Sequence, residues 1–278
     1  MNGLIIVNKP KGITSREVVN HICKKLNTKK VGHNGTLDPL AEGVLVVCLG
    51  KYTKLNEMLS GEEKEYIAEV KLGYLTDTLD ITGTILKEEK PTLNVETLKQ
   101  AFLNFPRKYI QEVPKYSAVK VNGKKLYEYA RKDIPVELPK KEVLIKDLEL
   151  LSFDGENFTF KTTVSKGTYI RSLIRDLLGT MNTIGTMSNL IRTKQGKFNI
   201  EDACTLEDIE KGNFKVLKIK DIFDIPVIVI DNILKKKVLN GAKVEGTYPN
   251  RVLFVDENAA ELAIYVRDGN SMKVSVML

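Results

Sequence analysis

Many of the patterns that reveal a protein's class are missing from these 278 residues. No apolar run approaches the roughly 20 residues that a membrane-spanning helix needs, and the run at 4–7 is too short for the core of a signal peptide. The three cysteines, Cys23, Cys48 and Cys204, have no pairing or metal-ligand spacing. We therefore predict free thiols in the reducing cytoplasm.

Familiar enzyme signatures are also absent. The chain has no P-loop, no Gly-x-Gly-x-x-Gly and no Ser-His-Asp signature. The ligand clusters that a metal would need are not visible either, so we expect that the protein requires neither a metal nor a nucleotide.

The charge balance and the size of the chain are more informative. Lysine and arginine outnumber aspartate and glutamate by 43 to 36, which gives a formal net charge of +7. Such a balance suits a polyanionic partner such as nucleic acid, although many basic proteins bind none. The length allows one large domain, or a large domain with a small one.

The periodicity of the chain predicts an α+β protein with two domains. Alternating apolar residues predict strands, for example at 65–72, and helical spacing follows the capping-box pattern that begins at Thr14. Near residue 225 the pattern changes to short β-prone runs separated by turns. We predict a large domain over 1–225 and a small β-rich domain over 226–278.

One acidic residue has unusual neighbours. In the stretch GHNGTLDPLAEGVLVV (32–47), Asp38 is framed by three glycines, followed by Pro39 and then by an apolar run. The proline restrains the backbone of Asp38, and glycines allow close approach of main chain or substrate. A carboxylate held in this way can act as a nucleophile or a base. The alternative is an Asp-Pro turn that Asp38 caps with its own side chain.

Other candidates are weaker. Asp77 and Asp80 suggest a metal site, but hard cations need more oxygen ligands, so a polar loop bonded to its own backbone is the simpler interpretation. His33 is either a substrate contact or a structural residue. The segment 115–131 mixes cations with tyrosines, as RNA-binding surfaces do, or is a solvated hairpin.

Several segments in order resemble the TruB family of pseudouridine synthases, which isomerise a uridine in the T-loop of tRNA. The segments are GHNGTLDPLAEGVL (32–45), GLIIVNKPKGITS (3–15), KEYIAEVKLGYLTDTLDITG (64–83), VPKYSAVKVNGKKLYEYAR (113–131), SKGTYIRSL (165–173) and NLIRTKQGKF (189–198). In the last segment, Ile191 stands where the family usually has arginine. The resemblance covers residues 3 to about 200. The C-terminal tail (residues 226–278) is only loosely similar to a PUA-type RNA-binding domain.

The resemblance implies a fold, a reaction and a site. The fold is a mixed, largely antiparallel central sheet flanked by helices, with the small PUA-like domain appended. The reaction converts uridine 55 of tRNA to pseudouridine without a cofactor: the N1–C1′ bond breaks and the base rejoins through C5. Asp38 would be the catalytic residue, and the T-arm of tRNA the partner of a monomeric enzyme. The implied substrate-binding residues are Tyr66, Tyr169, Arg171, Leu190, His33 and Lys9.

The sequence leaves alternatives open. A hydrolytic nucleosidase would use Asp38 together with Glu42, because glycosidases generally employ two carboxylates. A non-catalytic RNA-binding or chaperone protein would not need Asp38, Tyr66 and Arg171 together. Within the isomerase interpretation, Asp38 can attack C1′, add to C6 of the base, or remove the proton at C2′, and the residues do not distinguish these routes.

Overall fold

A computed structural model describes all residues, 1–278. The strands are β1 (Gly3–Lys9), β2 (Val31–Asn34), β3 (Glu42–Leu49), β4 (Lys64–Leu72), β5 (Tyr74–Thr76), β6 (Ile85–Glu88), β7 (Lys108–Glu112), β8 (Lys120–Val121), β9 (Lys124–Lys125), β10 (Lys140–Phe153), β11 (Asn157–Val164), β12 (Gly185–Gln195), β13 (Phe198–Asn199), β14 (Val227–Val229), β15 (Val244–Glu245), β16 (Arg251–Val255), β17 (Glu261–Asp268) and β18 (Ser271–Met277). The helices are α1 (Ser15–Lys25), α2 (Asn56–Leu59), α3 (Val95–Asn104), α4 (Leu126–Ala130), α5 (Ile170–Gly179), α6 (Leu206–Lys211), α7 (Ile219–Ile222) and α8 (Asn232–Leu239), with short 3-10 helices at Gly50–Leu55 and Ile200–Asp202. None of the helices is both long and apolar enough to cross a membrane.

A nine-stranded sheet forms the centre of the molecule. Its main path runs β1-β3-β12-β4-β11-β10-β7, while β2 pairs with β3 and β13 with β12. Only the β3–β12 pair is parallel; the other pairs are antiparallel. The predicted mixed, largely antiparallel sheet is therefore confirmed.

Local sequence signals explain several elements. Helix α1 begins with the predicted capping box, in which Thr14 and Glu17 satisfy each other's backbone N–H groups. Asn122 and Gly123 join β8 to β9 with positive φ angles of 50° and 82°. Both angles fit the type I′ turn that an Asn-Gly pair favours. The turn lies in the basic segment 115–131, which therefore forms a short hairpin followed by α4.

Strands β1 and β3 are buried on both faces, which accounts for the unbroken apolar run in β3. One face packs against α1, through residues such as Val18 and Ile22. The opposite face of these two strands belongs to a different hydrophobic cluster. Further along the sheet, α3 and α5 cover the face of β4 that carries its alternating apolar side chains.

The tail forms a second sheet, with strand order β14-β16-β17-β18-β15. This five-stranded sheet is the β-rich C-terminal part that the sequence predicted. Its side chains Leu253, Ile264 and Leu278 share a hydrophobic cluster with Leu4 and Val44 of the large sheet. Removing the tail would expose this apolar surface, which argues against a tail that separates without loss of stability.

Candidate active site

A pocket of about 530 Å³ opens beside the end of β2 and the start of α5. Its volume falls in the range of small-ligand sites, roughly 300–1,000 Å³. Six of the seven residues predicted for the site line it, although they come from separate parts of the chain. They are His33, Asp38, Tyr66, Tyr169, Arg171 and Leu190.

The Asp38 loop (residues 35–41) is held by neighbours that bond to its main chain. The Ser15 hydroxyl bonds to both the N–H and the carbonyl of Leu37, at 2.9 and 3.1 Å. The N–H of Gly12 donates to the carbonyl of Pro39 at 2.7 Å. Because these contacts involve the backbone, the shape of the loop does not depend on the carboxylate of Asp38.

The carboxylate of Asp38 instead faces a buried arginine. Nη2 of Arg171 lies 2.8 Å from Oδ2 of Asp38, and the two side chains are 5% and 36% exposed. The carboxylate of Asp38 is thus accessible from the pocket, while the guanidinium of Arg171 is buried. The carboxylate of Asp38 accepts no hydrogen bond from the main chain of its own loop, where the N–H of Ala41 donates to the carbonyl of Asp38 instead. The alternative of an Asp-Pro turn capped by the Asp38 side chain therefore does not describe this residue.

Arg171 is itself fixed by main-chain carbonyls from two other segments. Nη1 donates to the carbonyl of Thr78 at 2.8 Å, and Nη2 donates to the carbonyl of Tyr116 at 3.0 Å. Arg171 lies in the first turn of α5. The helix and the two carbonyls together aim the guanidinium at Asp38.

The Asp80 loop (residues 76–83) is bonded to itself, as predicted for a polar loop. The carboxylate of Asp80 accepts from the N–H of Thr82 at 3.0 Å and from its hydroxyl at 2.5 Å. Asp80 is only 9% exposed at its side chain and lies 4.0 Å from Nη1 of Arg171. No group of three or more His, Cys, Asp or Glu side chains is arranged to hold a metal ion.

Tyr66 and Leu190 come to the pocket from the neighbouring strands β4 and β12. In the register of these strands, Leu190 lies opposite Ala68 and Arg192 lies opposite Tyr66. The side chains of Tyr66 and Leu190 are each about 6% exposed. They give the pocket an apolar wall next to its charged groups.

Tyr169 precedes α5 and is anchored through its main chain. Its N–H donates to Oε1 of Gln111 at 2.8 Å, and its carbonyl accepts from Nε2 of the same side chain at 3.2 Å. Burial raises the pKa of Tyr169 above its usual value, so the hydroxyl stays protonated at neutral pH. Gln111 was not predicted, because nothing in its local sequence links it to a residue 58 positions away.

His33 and Lys9 differ in their relation to the pocket. Burial, followed by the charges of Arg16 and Arg192, lowers the pKa of His33, so the imidazole is neutral at pH 7, and its Nδ1 has no hydrogen-bond partner. Lys9 does not line the pocket. Its ammonium donates to the carbonyls of Pro10 and Ile13 at 2.8 and 2.6 Å, and thus shapes the turn that contacts Pro39.

The sequence analysis missed two basic strand residues that line the pocket. Lys64 begins β4 on the same face as Tyr66, and Arg192 follows Leu190 by two residues on β12. Each lies at an alternate position beside a predicted residue, so the period of two was the signal that could have revealed both. Glu42, the second acid of the nucleosidase alternative, does not line the pocket.

Known proteins identify the class to which this fold and site belong. Residues 23–170 match the family described as TruB family pseudouridylate synthase (N terminal domain). One chain from the crystal structure of a Cbf5–Nop10–Gar1 complex is similar over 99% of this chain and 84% of its own length, with a TM-score of 0.70 and 26% identity. A chain from an H/ACA RNP bound to a substrate RNA containing 2′-deoxyuridine has the same fold, with a TM-score of 0.69 and 24% identity. The protein is a pseudouridine synthase, and enzymes of this class are isomerases.

Curated relatives narrow the class to one family. The chain is 40% identical to tRNA pseudouridine synthase B of Caldanaerobacter subterraneus subsp. tengcongensis, covering 98% of both chains. It is 38% identical to the protein of the same name from Mesoplasma florum, covering 98% of this chain and 96% of the relative. The chain belongs to the TruB family, which confirms the resemblance seen in its motifs.

Proposed function

We propose that this enzyme converts uridine 55 in the T-loop of tRNA to pseudouridine, with Asp38 as the catalytic residue. The observation that carries the proposal is the 2.8 Å ion pair between Asp38 and the buried Arg171 at the pocket. Membership of the TruB family and two curated relatives named for tRNA support the substrate.

The reaction requires one well-positioned carboxylate. The N1–C1′ bond breaks, the base turns, and a C5–C1′ bond forms; N1 gains a proton and C5 loses one. Since the substrate and product have the same composition, no cofactor is consumed. Arg171 pairs with the carboxylate of Asp38 and fixes its direction, which suits attack at C1′, addition at C6 and proton removal at C2′ alike.

The target base must leave the tRNA loop to reach Asp38. Flipping it out costs on the order of a few kcal/mol. Stacking on an aromatic ring returns about 1–3 kcal/mol, and we assign that role to Tyr66. Leu190 and Tyr169 would line the base and ribose site, and the neutral His33 would contact RNA beside the flipped nucleotide.

The basic hairpin and the tail are proposed to hold the T-arm of tRNA. In the basic segment 115–131, Lys125 and Arg131 each lie 5.3 Å from the ring centre of Tyr127. In the domain proposed for 226–278, some cations are paired with acids, for example Lys235 with Asp256. Lys236, Lys237 and Arg251 form no such salt bridge, so they are the stronger candidates for phosphate contacts. We propose that the enzyme acts as a monomer in the cytoplasm.

The test is incubation with an unmodified tRNA transcript, followed by mapping of pseudouridine with a base-specific chemical label. We expect a label at position 55 that is absent with the Asp38→Asn variant and unaffected by a metal chelator. Release of free uracil would instead indicate a nucleosidase. Binding of tRNA without any modification would indicate the non-catalytic alternative.

A further inference from the structure

Three cations that line the pocket have no acidic partner, and two of them are buried or half-buried while the third, Lys166, is exposed. Lys64 and Arg192 both line it, and neither forms a salt bridge with a carboxylate. Arg192 is fully buried. Buried charges in proteins are normally paired, because an unpaired charge is costly to remove from water. This end of the pocket therefore differs from the Asp38–Arg171 end, where the cation has acidic partners.

Both cations converge on Gly35, the first residue of the Asp38 loop. A Cβ atom at Gly35 would lie 3.2 Å from Cε of Lys64 and 3.5 Å from Nη1 of Arg192. The positive φ of 79° at Gly35 also favours glycine. The first residue of the Asp38 loop therefore lies close to the side chains of both Lys64 and Arg192.

The hydrogen bonds of the two residues indicate different tasks. Arg192 donates from Nε to the carbonyl of Val44 in β3 at 2.7 Å and from Nη2 to the carbonyl of Gly35 at 2.9 Å. It therefore ties the first residue of the Asp38 loop, and the strand that follows the loop, to β12. Lys64 makes a single hydrogen bond, to the nearby carbonyl of Glu62 at 3.1 Å. An ammonium can donate three, which leaves Lys64 able to bind a ligand.

We propose that Lys64 is a phosphate-binding residue of this site. Its ammonium would contact a phosphate that flanks the target uridine, and Arg192 behind it would add to the positive potential. The inference rests on the proposed function only in taking RNA as the ligand. A phosphate held at Lys64 would fix the backbone on one side of the flipped nucleotide and so position the ribose near Asp38.

The surroundings of Lys64 carry excess positive charge, which favours the binding of an anion. Burial, and next the charge of Arg192, lower the pKa of Lys64 to about 8. Glu62 opposes this shift, while Lys166 and Lys141 add to it. A bound phosphate would stabilise the protonated form and raise the pKa again.

The central experiment measures coupling between Lys64 and individual phosphates. T-arm RNA hairpins are made that carry a neutral methylphosphonate on either the 5′ or the 3′ side of the target uridine. Each is compared with a control hairpin that has an ordinary phosphodiester at that position and the same 2′-deoxy sugar. All proteins carry Asp38→Asn to prevent turnover. With Lys64 present, we expect one methylphosphonate to weaken binding by roughly tenfold or more, as for a hydrogen bond to a charged group. In Lys64→Gln the same methylphosphonate should have almost no effect.

Matched variants separate contact from folding. Lys99, an exposed residue of α3 paired with Glu96, provides the control Lys99→Gln, which should respond to the methylphosphonate as strongly as the Lys64 protein. Lys64→Arg should keep most of the coupling. The inference is overturned if the methylphosphonate weakens RNA binding equally in Lys64→Gln and in the protein that keeps Lys64. It is also overturned if the methylphosphonate weakens binding in neither protein. Melting temperatures verify that each variant is folded.

A pH series gives a second readout. Because only the ammonium binds phosphate, the affinity of the Lys64 protein should fall several-fold relative to Lys64→Arg as pH rises from 7 to 9, through the pKa of about 8. Equal pH profiles would contradict the proposal. Failure of the proposed function has a different signature, since it would appear as an absence of pseudouridine in the Asp38 enzyme, whatever the coupling at Lys64.

Discussion

The Asp38 loop and the Asp80 loop both bring an aspartate to Arg171, but they are held in opposite ways. The Asp38 loop is held from outside, by Ser15, Gly12 and Arg192 bonding to its main chain. The Asp80 loop is held from inside, because the Asp80 carboxylate accepts bonds from Thr78 and Thr82. An aspartate that maintains its own loop has few lone pairs left for a substrate.

The comparison explains how one of two neighbouring acids is available for chemistry. Asp38 is the more exposed of the two and the closer to the guanidinium. The Asp80 loop contributes to the site indirectly, since the carbonyl of Thr78 orients Arg171. We therefore expect loss of Asp38 to affect rate, and loss of Asp80 to affect mainly stability.

The largest effect is expected for Asp38→Asn. The substitution keeps the size of the side chain, and the loop should keep its shape because its bonds are to main chain. We expect the single-turnover rate to fall by about a thousandfold or more, with tRNA affinity nearly unchanged. Residual activity within tenfold of the unsubstituted enzyme would show that Asp38 is not the catalytic group.

Arg171→Ala should have the second largest effect, because it removes the cation from both aspartates. We expect a rate loss of roughly a hundredfold from a misaligned Asp38, together with lower stability, since two carbonyls and a buried carboxylate lose their partner. Single-turnover kinetics and thermal unfolding measure the two effects. Arg175→Ala is the matched control, as Arg175 lies on the same helix and pairs with Glu112 instead. Similar rates for the two variants would contradict the pairing.

Asp80→Asn should change stability more than rate. The bonds from Thr78 and Thr82 all go to Oδ1, so an amide oxygen there keeps them only as weaker bonds to an uncharged acceptor. The NH2 group then replaces Oδ2 on the side of the Arg171 cation. We expect a decrease of about 1–3 kcal/mol in the free energy of unfolding and a rate within roughly tenfold of the original. A rate loss as large as that of Asp38→Asn, without a loss of stability, would remove the distinction between the two loops.

Tyr116→Phe should have the smallest effect. The Tyr116 hydroxyl donates to Oδ2 of Asp77 at 2.9 Å and so joins the basic segment 115–131 to the Asp80 loop. Losing one partly exposed hydrogen bond should lower stability by about 1 kcal/mol or less, and tRNA affinity only slightly. Tyr127→Phe, which leaves this bond intact, is the control. A large loss of rate would mean that Tyr116 has a more direct part in the site.

Much of the secondary structure follows from short-range patterns in the sequence. The alternation in β4, the capping box of α1 and the Asn-Gly turn each act over a few residues, where steric and hydrogen-bond preferences are strong. The prominence of Asp38 is also visible locally, from its glycines and proline. The identities of Tyr66, Tyr169, Arg171 and Leu190 as site residues came from family resemblance and not from any local rule.

Long-range packing alone settles how the pocket is assembled. Asp38 meets Arg171 only because β12 pairs in parallel with β3 and antiparallel with β4, which brings the Asp38 loop, β4 and α5 to one side of the sheet. Lys64 and Arg192 were overlooked for the same reason. A charged residue in a strand, such as Lys64 at the start of β4 or Arg192 within β12, is expected to face solvent from its local sequence alone. Its burial and its partners depend on segments more than a hundred residues away. The local sequence determines which side chains lie on the same face of a strand or helix. The tertiary fold determines which residues those side chains contact.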